Sequence, residues 1–318
     1  MLVALAGGVG AARMLGGLAA VMNPAEIVAV VNTGDDVVLH GLHISPDLDT
    51  VTYTLAGAIN PDTGWGLAAE SWQAMEALAA YGDGTRAWFR LGDRDLGTHL
   101  YRTGRLAEGA TLSQVTAEVT ARWQVPVVLL PMTDDPVETR VAVAGREIGF
   151  QEYFVGLRHE VAVEAVAFRG APAARPAPGV LDAIAGADRL VICPSNPIVS
   201  IGPILAVPGI AGALAARRDD TVAVSPIVGG RALKGPADHL MAELGHEPSV
   251  TGVARLYRAY ASTLVVDRVD APLAGAVAAE GMACVVTGTV MAGPAEAAAL
   301  ARTVLDVGPG RPSEAASA

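Results

Sequence analysis

The chain opens on an uninterrupted apolar run, Met1 to Ala6, that breaks into Gly7-Gly8-Val9-Gly10 and then into helix-forming sequence. No other stretch constrains the fold as tightly. A buried strand that ends in glycines and continues as a helix is how α/β proteins bring backbone up against a phosphate. Glycine permits the close approach, and the helix N-terminus offers unpaired N–H groups and a positive dipole end. Taken alone, these residues fit a plain strand-to-helix turn equally well, so the rest of the chain has to decide.

After the glycines, Ala11 to Met22 reads as a helix, with Met14, Leu15, Leu18 and Ala19 at helical spacing, and Asn23-Pro24 breaks it. Ile27 to Val31 is a strand-length apolar run, as expected for a strand buried on both faces of a parallel sheet. It ends in the polar cluster Asn32-Thr33-Gly34-Asp35-Asp36. From Ile44 to about Trp123 the pattern turns helical, with helices expected over Asp49 to Leu55 and Gly66 to Tyr81, and Trp65, Trp72 and Trp88 read as packing residues. Val125 to Leu130 is another buried-strand run. Arg140 to Phe154 alternates about Ala144-Gly145-Arg146 as a β-hairpin, and Glu160 to Phe168 reads as a strand. Further strands are expected at Arg189–Cys193, Thr221–Val224, Thr263–Val266 and Ala283–Val286, with a closing helix over Pro294–Leu305.

The expected fold class is therefore α/β: a Rossmann-like, doubly wound, mainly parallel sheet with an inserted helical segment and a β-hairpin. A single domain is expected over residues 1–307, with the helical insertion at about 44–123 and a disordered Gly/Pro/Ser/Ala tail over 308–318.

Composition narrows the function classes. Hydrophobic residues make up 52% of 318, but no run of about 18 residues is free of charges and turn formers, and no basic leader precedes the first strand. A cytoplasmic protein without a membrane partner is expected. The net charge of −11 and the lack of any Lys/Arg stripe argue against nucleic acid. Cys193 and Cys284 sit inside apolar strands and read as small buried hydrophobes. Lysine occurs once, at Lys234; the other 21 basic residues are arginine.

Five loops that follow expected strands are polar or glycine-rich: the opening glycines, Asn32 to Asp36, Thr133 to Asp135, Ser195 to Gly202, and Ser225 to Lys234. In an open parallel sheet such carboxyl ends line one crevice, where ligands bind. The dinucleotide fingerprint is incomplete, because Arg13 stands where its third glycine would be, although Asp35 or Asp36 lies near the spacing of a ribose-binding acid. No P-loop motif occurs, and His40 and His43 read as a surface pair. Asp35, Asp36, Asp47, Asp49, Asp93, Asp95, Asp134 and Asp135 all fall in loops or at helix starts. Such acids cap helices, and hard oxygen ligands of this kind also suit Mg2+ beside a substrate phosphate. With Arg90, Arg94 and Lys234 as counter-charges, they suggest a phosphoryl-transfer site.

Read together, these loops resemble the 2-phospho-L-lactate transferase family of coenzyme F-420 biosynthesis. The resemblance is carried by Gly7-Gly8-Val9-Gly10, Asn32-Thr33-Gly34-Asp35-Asp36, Ile44-Ser45-Pro46-Asp47-Leu48-Asp49-Thr50 and Leu91-Gly92-Asp93-Arg94-Asp95. The second half adds Leu130-Pro131-Met132-Thr133-Asp134-Asp135-Pro136, Pro194-Ser195-Asn196-Pro197, Ser200-Ile201-Gly202-Pro203 and Val224-Ser225-Pro226-Ile227-Val228-Gly229-Gly230.

The resemblance implies a Mg2+-dependent transfer to the deazaflavin FO (7,8-didemethyl-8-hydroxy-5-deazariboflavin) from lactyl- or enolpyruvyl-2-diphospho-5′-guanosine. GMP is released and F-420-0 or its dehydro form is made, by an enzyme that commonly forms a homodimer. It also implies that Asp49 and Arg90 contact FO. Gly7, Gly8, Gly10, Asn32, Ser195, Asn196, Ser225 and Lys234 then fall on the guanosine diphosphate side. Asp49, Arg90 and Arg94 are the catalytic candidates, Asp49 orienting or deprotonating the FO hydroxyl, and Asp36 and Asp47 the metal candidates. Two other readings stand beside this one. A nucleotide-sugar-binding regulator of the same superfamily would lack the Ser-Pro-Asp-Leu-Asp-Thr and Leu-Gly-Asp-Arg-Asp pair, and an NAD(P)-dependent dehydrogenase would ignore guanosine diphosphate.

Overall fold

Strands form where the sequence is continuously apolar, and seven of them build one sheet. They are β1 (Leu2–Ala6), β2 (Ile27–Val31), β3 (Val128–Pro131), β4 (Arg189–Ile192), β5 (Thr221–Val224), β6 (Thr263–Asp267) and β7 (Ala283–Thr287). The computed structural model describes residues 1–82 and 88–307, so the expected tail at 308–318 lies outside the described residues. The sheet order is β3-β2-β1-β4-β5-β6-β7, and every pair is parallel. This is the doubly wound order, with its reversal between β1 and β4.

Both faces of the sheet are covered, which is why its strands lack polar alternation. Val3, Leu5, Val28 and Val30 point into one core, and Leu2, Ala4, Ala6, Ala29 and Val31 into the other. The second face is rich in alanine, so helix α1 (Gly8–Val21) lies close on it, burying Ala11, Ala12, Met14, Leu15 and Leu18. The closing helix Pro294–Asp306 packs against α1 at Gly17, where a Cβ would stand 2.3 Å from the Ala297 carbonyl oxygen.

Between β2 and β3 the chain makes a long excursion. A short antiparallel pair, Val37–Leu39 with Leu42–Ile44, leads into α2 (Pro46–Leu55), α3 (Gln73–Ala79), α4 (Asp95–Ala107) and α5 (Leu112–Arg122). The helix expected over Gly66 to Tyr81 is confined to Gln73–Ala79. Gly64, Gly66 and the non-glycine Ala69 (φ +54°) adopt left-handed backbone, which no α-helix tolerates in succession. The expected hairpin is present as Glu138–Val143 and Arg146–Gly149, turning at Ala144 and Gly145. It stops at Gly149 instead of Phe154, and the strand expected over Glu160–Phe168 is Ala165–Arg169, which pairs with Glu138–Val143 to make a separate three-stranded sheet.

Among the described residues no single helix is long and apolar enough to cross a membrane; Pro197–Ala206 and Ile210–Ala216 reach that length only together, across a 97° bend. Their apolar side chains Ile201, Ile204, Ile210 and Leu214 are fully buried in the core.

Candidate active site

The reversal between β1 and β4 brings two turns into contact. Gly10 lies so close to the loop after β4 that a Cβ would stand 2.2 Å from the Pro194 carbonyl oxygen. Gly7 is closed in by Ser200 and by the Asp47 carboxylate, and Gly8 takes a left-handed φ of +74°. Three glycines are thus required for three separate reasons.

The amides of this turn already have protein partners. Gly7 N–H donates to Ser195 Oγ (3.3 Å), and Gly8 N–H, at the start of α1, donates to Asp47 Oδ1 (2.7 Å). Asp47 therefore caps α1 rather than its own helix α2. A carboxylate sits at the positive end of α1, the place where this fold commonly binds a phosphate.

Asn32, fully buried at the end of β2, organises the acids. Its side-chain oxygen accepts from Gly34 N–H (2.8 Å), so its amide nitrogen donates to Asp35 Oδ1 and Asp47 Oδ2, both at 2.9 Å. Gln151 donates to the other Asp35 oxygen (3.2 Å), and Ser45 Oγ donates to Asp36 Oδ2 (2.6 Å). Asp36 Oδ1 is buried without a hydrogen-bond partner among the described residues. Burial raises the pKa of Asp35, with the Asp47 and Asp36 charges adding to it, and burial likewise raises Asp36. Burial lifts Asp47 to about 6 against its bonds from Asn32 and Gly8. Three carboxylates crowd together here with too little positive charge to balance them. No group of three or more His, Cys, Asp or Glu among the described residues is arranged to hold a metal unaided.

Asp49 lies buried on α2, and both its oxygens are engaged by Arg102 of α4: Nη1 donates to Oδ2 (3.1 Å) and Nη2 to Oδ1. His99 Nδ1 stands 3.7 Å from Asp49, His99 Nε2 stands 3.2 Å from Asp95 Oδ2, and Tyr53 donates to Asp95 Oδ1 (2.5 Å). Sequence reading missed Arg102, His99 and Tyr53. Their signal was a polar stripe at helical spacing, which ordinarily marks a solvated face.

The charged motif at residues 91–95 folds as a reciprocal clasp. The Glu70 carboxylate accepts from the amides of Arg94 and Asp95 (both 3.0 Å) and so caps α4. The Asp93 carboxylate accepts from Gln73 and Ala74 and caps α3, which together with the Ser71 hydroxyl holds its pKa below the usual range. Arg94 donates to the Ala68 carbonyl oxygen (2.8 Å), and Arg90 lies over the Trp72 ring at 4.4 Å. Among the described residues no hydrogen bond or ion pair joins Arg90 or Arg94 to Asp49.

On the nucleotide side, Asn196 caps the turn after β4 by accepting from Ile198 and Val199, and Ser225 closes its own loop on Ile227. Lys234 reaches across to the insertion, donating to the Thr63 carbonyl oxygen (2.9 Å); burial, then the nearby Arg13, lowers its pKa. His40 and His43 are exposed, as the surface reading expected.

A cleft of about 1140 Å3 opens on the insertion side of Asp36. Asp36, Ser45 and Arg102 lie along it, with Trp88, Arg140 and Arg169 further out; of the residues singled out for catalysis, nucleotide or metal, Asp36 alone lines it. Two of the loops expected to line a crevice, Thr33 to Asp36 and Asp134 to Asp135, do line it; the rest of its wall, from the insertion and the three-stranded sheet, was not read from the sequence.

Residues 2–287 match the family described as 2-phospho-L-lactate transferase CofD. The chain belongs to the 2-phospho-L-lactate transferase family. It is 49% identical over 311 residues to a phosphoenolpyruvate transferase of Streptomyces griseus, covering 96% of this chain and 98% of that one. It is 42% identical to the phosphoenolpyruvate transferase of Mycolicibacterium smegmatis, covering 95% and 97%. Protein BH3568 of Bacillus halodurans is similar in fold, with a TM-score of 0.63 over 96% of this chain and 99% of that one at 18% identity. As a family member the protein is a transferase, and the charged loops that carried the resemblance all lie within the matched span.

Proposed function

We propose that this protein transfers a phosphoenolpyruvyl group from enolpyruvyl-2-diphospho-5′-guanosine to the ribityl hydroxyl of FO, releasing GMP and forming dehydro-F-420-0. The observation that carries the choice of enolpyruvyl over lactyl is the 49% and 47% identity to phosphoenolpyruvate transferases, each over 96% of this chain.

The hydroxyl oxygen bonds to the β-phosphorus of the donor, and the bond from that phosphorus to the bridging oxygen breaks. GMP carries away the electron pair, and the hydroxyl proton passes to solvent water. The protein's part is positioning and charge. The turns at Gly7–Gly10, Ser195-Asn196 and Ser225, together with Asn32 and Lys234, form the donor side of the crevice. Lys234 and Arg94 offset the diphosphate charge. The cleft beside Asp36 is large enough for a tricyclic acceptor, and Asp49 and Arg90 belong to that side.

Asp36 and Asp47 are the residues to hold Mg2+. The unpaired Asp36 Oδ1 and the raised pKa values of both acids fit a cation there. When bound, the ion supplies charge neutralisation to the phosphates. The same reading makes the enzyme a cytoplasmic homodimer.

The deciding assay offers FO and Mg2+ with each guanylated donor separately and reads product masses. The enolpyruvyl phosphodiester of FO is expected. A product with the lactyl donor alone reverses the donor choice, and no phosphodiester with either donor overturns the reading.

A further inference from the structure

Two buried carboxylates stand in the first turn of α2, Asp47 and Asp49. Two residues apart on a helix, they point about 200° from one another, and each has a different kind of partner. Asp47 takes hydrogen bonds from neutral donors, the Gly8 amide and the Asn32 side chain. Asp49 takes a guanidinium: Arg102 of α4 donates from Nη1 to Oδ2 (3.1 Å) and from Nη2 to Oδ1.

The two bonds from Arg102 fix a plane. Parallel N–H donors on a rigid fork hold a carboxylate against rotation about its last bond, which a single donor does not do. One bond to each oxygen leaves a second lone pair on each able to accept. Arg102 is held in turn. It is 3% exposed, and its Nη1 also lies 3.4 Å from the His43 carbonyl oxygen and from His99 Nδ1. Behind it, His99 Nε2 stands 3.2 Å from Asp95 Oδ2, and the other Asp95 oxygen accepts from Tyr53 (2.5 Å).

Helices α2 and α4 are thus joined by a polar brace that ends on the Asp49 carboxylate. Stability does not account for it, because the desolvation of a buried ion pair offsets its attraction and apolar residues of similar size would pack as well. What apolar packing cannot do is hold one carboxylate in one orientation at the edge of the cleft, where Arg102 lies beside Asp36 and Ser45.

We propose that Arg102 is the positioning residue of the acceptor site: it holds the Asp49 carboxylate in the plane from which its remaining lone pairs receive the acceptor's hydroxyl, and it acts through Asp49 rather than on either substrate. This rests on the reading above of Asp49 as a contact of the acceptor, and deepens it. The fork matters as much as the charge. A lysine here keeps the charges balanced but leaves the carboxylate free to turn, and a misplacement of about 1 Å at a reacting group costs on the order of 100-fold in rate.

The test uses the full chain with Mg2+, FO and the enolpyruvyl guanosine donor, and compares Arg102→Lys, Arg102→Gln, Asp49→Asn and the double variant Arg102→Gln/Asp49→Asn. Donor and FO affinities are read by calorimetry, and kcat and KM for FO from GMP release. Arg102→Gln is expected to lower kcat about 100-fold, with Arg102→Lys falling between it and the wild type. Donor affinity should stay within about threefold of the wild type in both. Adding Arg102→Gln to Asp49→Asn should change kcat/KM for FO by no more than about threefold, where independent contacts would multiply. The double variant removes both charges together, so it avoids the unpaired buried carboxylate that endangers the fold of Arg102→Gln.

A merely structural ion pair lowers Tm and leaves kcat alone. Arg105→Gln is the control for that outcome, since Arg105 lies on the same helix, pairs with Glu108 and Glu118 and does not line the cleft. Its loss should cost stability without changing kcat/KM. Losses that multiply in the double variant overturn the proposal, as does a folded Arg102→Lys or Arg102→Gln protein with wild-type kcat, or one that has lost its affinity for the donor. A wild type that forms no FO phosphodiester overturns the functional reading and this inference with it, whereas a wild type that turns over with multiplying losses overturns this inference alone.

Discussion

Replacing Gly10 by alanine tests how the crevice is closed. The added Cβ would stand 2.2 Å from the Pro194 carbonyl oxygen. Restoring an ordinary carbon–oxygen separation of ~3.3 Å requires about 1.1 Å of movement. Neither side yields easily. Pro194 follows Cys193, which is fully buried and donates its N–H to the Leu5 carbonyl oxygen (3.1 Å). Gly10 is followed by Ala11 and Ala12, both on the face of α1 that is fully buried against the sheet. The obstacle is backbone, so the cost falls in the upper part of the ~1–3 kcal/mol range for overpacking. At roughly 2 °C per kcal/mol for a chain of this length, Tm should fall by about 4–6 °C. Gly16, further along the same helix, has nothing within 4 Å of its Cβ position. Gly16→Ala should therefore gain ~0.5–1 kcal/mol from helix propensity and raise Tm slightly. Differential scanning calorimetry of the two variants side by side checks this. A Gly10→Ala protein that melts with or above the wild type refutes the argument that β1 and the β4 loop are clamped at this glycine.

Two further outcomes follow from the acids. Asp47 rises from its ordinary 3.8 to about 6 in the folded protein, corresponding to ~3 kcal/mol. A raised folded pKa gives stability that is complete below the unfolded value and is lost as pH climbs through 4 to 6. Asp47→Asn should therefore flatten that part of the Tm–pH curve of the metal-free protein; a curve parallel to the wild type's between pH 4 and 7 contradicts the shift. Glu70→Ala uncaps α4 and should cost about 1 kcal/mol, read as a lower denaturant midpoint, whereas an unchanged midpoint would mean that water replaces the clasp without loss.

The sheet was readable in advance because strands buried on both faces announce themselves as unbroken apolar runs. Ile27–Val31 agrees with its sequence reading residue for residue. The switch-point turn was readable because glycine has so few reasons to recur at that spacing. What the sequence hid is the partner of each polar residue. Asp93 carries the same carboxylate whether it caps α3 or binds a ligand, and nothing local says that Glu70 stands across from it. Asp47 could be read as a cap, but not as the cap of α1, a helix that starts 39 residues earlier. Nothing in the local sequence sets Arg102 apart from the other arginines. Its burial depends on α2 presenting Asp49 and Tyr53 at the matching spacing, a correlation between two segments that neither shows alone.

The excursion between β2 and β3 has a consequence for how such an enzyme can change over time. Asp36, Asp47, Asp49, Arg90, Arg94 and Arg102 all belong to one continuous stretch of chain, while the glycine turn, Ser195 and Ser225 directly follow strands of the central sheet. On the proposed reading, the site is a seam between the strand-end turns and one inserted stretch of chain. On that reading, changes within the insertion bear on what accepts the group, and changes in the strand-end turns on what donates it. The two parts are tied together by Asp47 on the Gly8 amide, Asn32 on Asp47, Ser113 on Asp134 and Lys234 on Thr63, and by Leu48 and Val51 of α2 in the core that α1 also buries.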